Sequence, residues 1–215
     1  MRIVLLGPPG AGKGTQGQAL AATFCIPHVA TGDIVRDHIA RKTEFGCKIE
    51  AAIAAGNFAS DEDINYWVAQ RLAEPDAAGG YILDGFPRVL TQAKAFQSAL
   101  SAVFWLDLAE EAAMERIAGR WVCPRCSAVY HALHCVPRVT GQCDNEGAVL
   151  VKRPEDALDK MRFRLDYNRS QMWPVAEHYA SLTSLVIIDA AGDAAVVTQR
   201  ILSALDAVTL VKSGF

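Results

Sequence analysis

A glycine-rich loop near the N-terminus constrains the fold of this chain more than any other feature. The loop spans residues 7–15, Gly-Pro-Pro-Gly-Ala-Gly-Lys-Gly-Thr, and follows a short apolar run at residues 2–6. Helical apolar spacing resumes from Lys13 to Phe24, so the segment predicts a strand, a loop and a helix. Glycines let backbone N–H groups turn toward an anion, and the helix that follows adds the positive end of its dipole. The loop is therefore predicted to bind phosphate, with Lys13 reaching the outer phosphates.

Three further apolar runs have the same form as the first. They span Tyr81–Asp84, Ala102–Asp107 and Leu185–Asp189, and each ends on an aspartate. Continuous apolar runs are typical of strands covered on both faces, and the helical stretches between them supply the crossovers of a parallel sheet. The predicted fold class is therefore α/β, a P-loop parallel sheet with helices on both faces.

Two segments interrupt this alternation. Residues 30–60 have helical character and contribute no predicted strand, and residues 121–156 hold most of the cysteines. Each is predicted to be a small insertion on the core. The remaining residues, 1–29, 61–120 and 157–215, are predicted to form the core domain.

Charge and apolar run lengths exclude several classes of protein. A formal net charge of -3 argues against a general nucleic-acid or membrane-surface binder, which usually carries a basic face. No run reaches the roughly 18 apolar residues needed to span a bilayer. The apolar run before Gly7 is also too short for a signal peptide, so we expect a cytoplasmic protein. Clustered cysteines in that compartment suggest metal more than disulfides.

The phosphate loop departs from the general P-loop at one position. A general P-loop has Ser or Thr directly after the lysine to bind Mg²⁺, but here Gly14 follows Lys13 and the hydroxyl comes at Thr15. The pattern Gly-x-Pro-Gly-x-Gly-Lys-Gly-Thr resembles the nucleoside monophosphate kinases, and the adenylate kinases in particular. That resemblance implies that Mg²⁺ arrives with ATP and is held by phosphates and by waters on Asp33 and Asp84. The ATP-binding residues that it implies in the loop are Gly10, Ala11, Gly12, Lys13, Gly14 and Thr15.

A second motif, Tyr81-Ile-Leu-Asp84-Gly85-Phe86-Pro87-Arg88 followed by Gln92, resembles the second signature of that family. Asp84 closes a predicted strand and so faces the crevice at the carboxyl ends of the sheet, where it can orient magnesium-bound water. Arg88 is expected to clamp the acceptor phosphate. Gln92 offers an amide donor and an acceptor and can pair with adenine.

The start of the first insertion, Thr31-Gly-Asp-Ile-Val-Arg36, resembles the monophosphate-binding helix of the family. A helix N-terminus with an arginine one turn in attracts a phosphate. Thr31 favours AMP as the acceptor, because the related pyrimidine kinases tend to carry alanine there. The AMP-binding residues implied by the resemblance are Thr31, Arg36, Asn57, Phe58, Ala59, Gly85, Phe86, Pro87, Arg88, Gln92, Arg153 and Arg164.

The second insertion has the cysteine spacing of a zinc ribbon. Cys123 and Cys126 are separated by two residues, and Cys143 and Glu146 follow after sixteen intervening residues. The segment resembles the lid of the zinc-containing adenylate kinases, in which the fourth ligand is normally Cys or Asp. The resemblance implies two small mobile insertions, residues 30–60 binding the monophosphate and residues 121–156 acting as the lid. A structural Zn²⁺ is therefore expected on these four side chains, with Cys135 as a competing fourth ligand. The alternative is a metal-free lid held by hydrogen bonds.

Arginines flank the second insertion. Phosphoryl transfer needs such cations, because charge develops on phosphate oxygens in the transition state. By resemblance, Arg120 contacts the donor phosphates, and Arg153 and Arg164 bridge the transferring group and the acceptor. Trp121 stands where the family has a second arginine, and no role is assigned to Arg116. The resemblance adds Val129 and Tyr130 as the lid residues over ATP, and Gly192 near the donor adenine.

The sequence thus predicts reversible transfer of a phosphoryl group from MgATP to AMP, giving two ADP. Its expected catalytic residues are Lys13, Arg88, Arg120, Arg153 and Arg164. Two alternatives remain at this point, a kinase for UMP or CMP and a nucleotide-dependent nucleic-acid-binding zinc-ribbon protein. Residues 121–150 lack the interleaved basic and aromatic residues that the latter requires. The expected partners are ATP, AMP and ADP, without nucleic acid or membrane, and family members of this length are commonly monomers.

Overall fold

The structure is a computed structural model that describes the backbone of residues 1–54, 59–153, 156–182 and 185–213. Its elements alternate strands and helices along most of the chain. In order they are β1 (Arg2–Leu6), α1 (Lys13–Phe24), β2 (His28–Ala30), α2 (Thr31–Ala40), α3 (Glu44–Ala54), α4 (Asp61–Leu72), β3 (Tyr81–Asp84), α5 (Leu90–Ala95), β4 (Ala102–Asp107), α6 (Glu110–Ala118), β5 (Arg120–Val122), β6 (Val129–His131), α7 (Leu158–Leu182), β7 (Leu185–Asp189) and α8 (Ala194–Ser213).

Five strands form one parallel sheet in the order β2-β3-β1-β4-β7. The α/β prediction is therefore confirmed, and all four predicted strands are present. Strand β2 was not predicted, because three residues are too few to carry a periodic signal. All five carboxyl ends lie at the same edge of the sheet, which is where ligands bind in open parallel sheets.

The sheet is covered on both faces. Alternate residues of β1 belong to different apolar clusters, with Leu5 packed toward Leu20 of α1 and Ile201 of α8. Leu6 belongs to the opposite cluster, which includes Met172 of α7. This double burial explains why β1 is continuously apolar rather than alternating.

The segment between α6 and α7 folds around a small antiparallel sheet of β5 and β6. Val122 of β5 also forms a bridge with Val151, which brings the two ends of the segment together. Trp121, the residue in place of a family arginine, lies under Lys152, whose Nζ is 4.6 Å from the ring centroid. A cation above an indole ring is attracted to the face of that ring. The contact between Lys152 and Trp121 therefore links the two ends of the segment.

Among the described helices, none combines the length and apolar character that crossing a bilayer requires.

Candidate functional site

A deep cleft opens at the carboxyl edge of the sheet, between the helices after β2 and the segment that contains β5 and β6. Its volume of about 1540 Å³ exceeds the roughly 300–1,000 Å³ typical of a site for one small molecule. The residues that line it include members of both predicted nucleotide sites. Of the predicted residues, Gly10, Ala11, Gly12, Lys13, Gly14, Thr15, Thr31, Asp33, Arg36, Ala59, Asp84, Gly85, Arg88, Gln92, Arg120, Val129, Tyr130, Arg153 and Gly192 line the cleft.

Some predicted residues do not line this cleft or cannot be placed. The Phe86 side chain is buried in the core, where its ring meets that of Phe96 at a centroid distance of 5.4 Å. Pro87 is not among the lining residues. Asn57 and Phe58 lie outside the described residues, as does the side chain of Arg164.

The phosphate loop is an inward-facing turn that leads directly into α1. Gly10 has a φ of 83°, and a Cβ at this position would lie 2.7 Å from the carbonyl oxygen of Ala113 in α6. Only glycine fits both the backbone conformation and the close approach. Lys13 Nζ donates to the carbonyl oxygens of Gly7 and Pro8, each at 2.8 Å. The ammonium group is thus held over the loop at the mouth of the cleft.

Asp84 closes β3 beside the phosphate loop. Its carboxylate lies 3.4 Å from Nε2 of His28, a β2 residue that the sequence patterns did not single out. Burial raises the pKa of the Asp84 carboxyl, but contact with His28 and the positive charges of Lys13 and Arg88 bring the pKa below its ordinary value. Asp84 is therefore an anion at neutral pH, surrounded by cationic groups.

Directly after Asp84, Gly85 joins two predicted acceptor residues. Thr31 Oγ1 and Arg88 Nε both donate to the Gly85 carbonyl oxygen at 2.8 Å. Nearby, Arg36 Nη2 lies 2.6 Å from Asp33 Oδ1 in the first turn and a half of α2. The structure therefore places Asp33 beside Arg36, a predicted acceptor-site cation.

Gln92 is buried at the start of α5 and is held from two sides. Its Oε1 accepts from the backbone N–H of Arg88 at 2.8 Å, and its Nε2 donates to Asp61 Oδ1 at 2.8 Å. Asp61 begins α4 and also lines the cleft. The sequence patterns did not identify Asp61, since nothing in its spacing ties it to Gln92.

Two arginines near the predicted donor site have defined partners. Arg120 makes a bidentate contact with Asp156, with Nε to Oδ2 at 2.8 Å and Nη2 to Oδ1 at 2.5 Å. Arg116 Nη2 donates to the carbonyl oxygens of Ala190 and Gly192, at 3.0 and 2.9 Å. Arg116 therefore lies against the loop after β7, where the sequence predicts contact with the donor base.

Three thiols meet in the segment between α6 and α7, as the zinc-ribbon spacing predicts. The ligand atoms of Cys123, Cys126 and Cys143 lie within 4.8 Å of one another. Among the residues that the structure describes, the group has only these three members. Glu146 extends instead toward Arg125, with Nε and Oε2 4.0 Å apart, and Cys135 is exposed.

The chemistry of these thiols suits a thiophilic cation, because the thiolate is the form that binds metal. A hydrogen bond from Tyr130, supported by the N–H groups of Glu146 and Asn145, lowers the pKa of the Cys143 thiol to about 6. Burial raises the pKa of the Cys126 thiol, the opposite tendency. A cation would supply the charge needed to hold both thiolates together.

Known proteins resemble the whole chain rather than a single motif. The family profile described as "Adenylate kinase" matches residues 5–184. The adenylate kinase of Anaeromyxobacter sp. (strain Fw109-5) is 41% identical over 213 residues, which cover 94% of this chain and 100% of that protein. The adenylate kinase of Streptomyces griseus subsp. griseus is 42% identical, with 96% and 98% covered. Because the family profile covers residues 5–184 and both relatives align over more than nine-tenths of the chain, this chain belongs to the adenylate kinase family.

Proposed function

We propose that this protein catalyses the reversible transfer of a phosphoryl group from MgATP to AMP, giving two ADP. The observation that carries the proposal is the shared cleft, which is lined by the phosphate loop and also by Gln92 and Arg88. A donor phosphate over Lys13 and an acceptor phosphate beside Arg88 would therefore face each other. The acceptor phosphate is itself the nucleophile, so the protein needs no covalent intermediate.

In this proposal the protein acts by positioning and by charge. Lys13 and Arg120 bind the donor phosphates, and Arg88 holds the acceptor phosphate with help from Arg36. Arg153 and Arg164 bridge the two as charge moves between them. Such preorganised cations stabilise developing charge more than mobile water does.

Magnesium enters with ATP and neutralises part of the phosphate charge. Asp84, buried among cations and close to Gly14, is suited to orient water on the metal. Asp33 is proposed to share this role, although its contact with Arg36 sets it nearer the acceptor.

We propose that the two insertions close over the bound nucleotides. Residues 30–60 would carry AMP, and residues 121–156 would cover ATP with Val129 and Tyr130. Closure would exclude water and so prevent hydrolysis of ATP. The core of residues 1–29, 61–120 and 157–215 would serve as the fixed frame.

Cys123, Cys126 and Cys143 are proposed to hold a structural Zn²⁺, since three close thiols fit its ligand preference. A bound ion would cross-link the lid and stabilise its fold. Glu146 remains our proposed fourth ligand, and it must leave Arg125 to reach the thiols. Cys135 is the competing candidate. The proposal also includes a monomer acting in the cytoplasm.

An ADP-forming assay with ATP and each of AMP, UMP and CMP tests the proposed function. We expect strong preference for AMP, and equal or better rates with UMP or CMP would overturn the acceptor assignment. Retention on a nucleic-acid column at physiological salt would instead support the zinc-ribbon alternative.

A further inference from the structure

The orientation of the Gln92 amide is set by two neighbours of opposite hydrogen-bonding character. The backbone N–H of Arg88 can only donate, and it lies 2.8 Å from Oε1. The carboxylate of Asp61 accepts, and its Oδ1 lies 2.8 Å from Nε2. Turning the amide over would place N–H against N–H and oxygen against a carboxylate. The two neighbours therefore permit one orientation.

Asp61 is itself held in place. Its other oxygen, Oδ2, accepts from Thr91 Oγ1 at 2.5 Å. Thr91 and Gln92 are adjacent residues of α5, so the Asp61 carboxylate bridges the starts of α4 and α5. Because both of its oxygens accept hydrogen bonds, the Asp61 carboxylate is held in one position, from which it accepts from Gln92.

This arrangement determines what the amide can offer to a base. An amide oxygen has two lone pairs and an amide nitrogen has two hydrogens. One of each is used by Arg88 and Asp61, which leaves one acceptor and one donor in a fixed order. Adenine presents an amino donor beside the N1 acceptor. Hypoxanthine and guanine present the reverse order, a carbonyl acceptor beside an N1–H donor.

We infer that Asp61 is a positioning residue that sets the acceptor-base specificity by preventing the Gln92 amide from turning over. The inference rests on the proposed function, because it assumes that Gln92 reads the acceptor base. It assigns to Asp61 the rejection of 6-oxopurine monophosphates such as IMP.

The test is Asp61→Asn, which keeps the shape of the side chain but can either donate or accept. Selectivity is measured as kcat/KM for AMP relative to IMP, with ATP as donor. Removing the charged acceptor is expected to raise the ratio of kcat/KM for IMP to that for AMP roughly ten- to a hundredfold. Losing a hydrogen bond to a charged group changes an equilibrium constant by about this factor. The N–H of Arg88 still favours the original orientation, so AMP remains the better substrate.

Glu62→Gln is the matched control, because it removes the same charge from the same first turn of α4. Its ratio of kcat/KM for IMP to that for AMP should equal the ratio of the wild type. Equilibrium binding of AMP and IMP without ATP should give the same shift as the kinetics. If Asp61→Asn does not fold, Asp61→Ser is tested for a shift in the same direction.

The outcomes separate the two proposals. A wild-type protein that makes no ADP from ATP and AMP overturns the proposed function. A wild type that does so, together with a folded Asp61 variant whose ratio stays within about threefold of it, overturns the role of Asp61. An equal shift in Glu62→Gln also overturns it, because the effect is then one of general charge.

Discussion

Arg120 and Asp156 form a bidentate ion pair that ties the start of β5 to the chain leading into α7. The Asp156 side chain is only 3% exposed and that of Arg120 17% exposed, so water screens the pair weakly. The pair therefore connects the beginning and the end of the lid segment while holding a proposed phosphate-binding arginine.

Asp156→Asn is expected to lower the free energy of unfolding by about 2–4 kcal/mol, because loss of one partner leaves the other charge buried. Urea denaturation measures the change. A double-mutant cycle with Arg120→Gln should give a coupling of at least about 1 kcal/mol. If the changes in the free energy of unfolding caused by the two substitutions simply add, the pairing is contradicted.

Arg88→Ala should reduce kcat on the order of 10³-fold while thermal unfolding stays near that of the wild type. The reason is that Arg88 is proposed to stabilise charge that develops during transfer. Arg71→Ala serves as the control, since Arg71 pairs with Asp76 instead of lining the cleft. A loss of less than tenfold for Arg88→Ala would reject the proposed role.

Asp84 should make stability depend on pH in the acid range. Because its folded-state pKa lies below the ordinary value, ionised Asp84 contributes stability above the unfolded pKa of about 4, and this is lost as the pH falls through the folded pKa. Urea unfolding of wild type and Asp84→Asn should therefore differ at pH 7. The difference should shrink below about pH 4. A difference that is constant down to pH 3 would argue against the lowered pKa.

Protein purified without chelator is expected to contain about one equivalent of zinc. Cys126→Ser should lose most of it, because one of three close thiols is removed. Cys47→Ser, at an exposed position outside the thiol group, should retain it. Less than about a tenth of an equivalent in the wild type would refute the zinc proposal.

The sequence was most informative where a local pattern carries the function. The glycine loop and its flanking apolar run predicted β1 and α1, and α1 spans Lys13–Phe24 as expected. Strands ending at Asp84, Asp107 and Asp189 were also predicted, because buried parallel strands have continuous apolar runs.

Residues that act through distant partners were missed. His28, Asp61 and Asp156 gain their roles only when folding brings them to Asp84, Gln92 and Arg120. No spacing rule connects such pairs. Spacing alone predicts Glu146 as a zinc ligand, and it does not predict the 4.0 Å contact of this side chain with Arg125. Sequence spacing predicts where the backbone passes. It does not predict which partner a glutamate side chain contacts, because that side chain has several rotatable bonds.

The small interior of the lid has a consequence for how the enzyme responds to its surroundings. Its buried apolar cluster consists of Cys123, Tyr130, Cys143 and Leu150, and two of these four are proposed metal ligands. Such an interior is too small to hold the segment by hydrophobic burial alone. Under the zinc proposal, depletion of the metal would open the lid by local unfolding while the sheet stays folded. Because Val129 and Tyr130 line the cleft, cellular zinc supply would then set the fraction of enzyme whose cleft is complete.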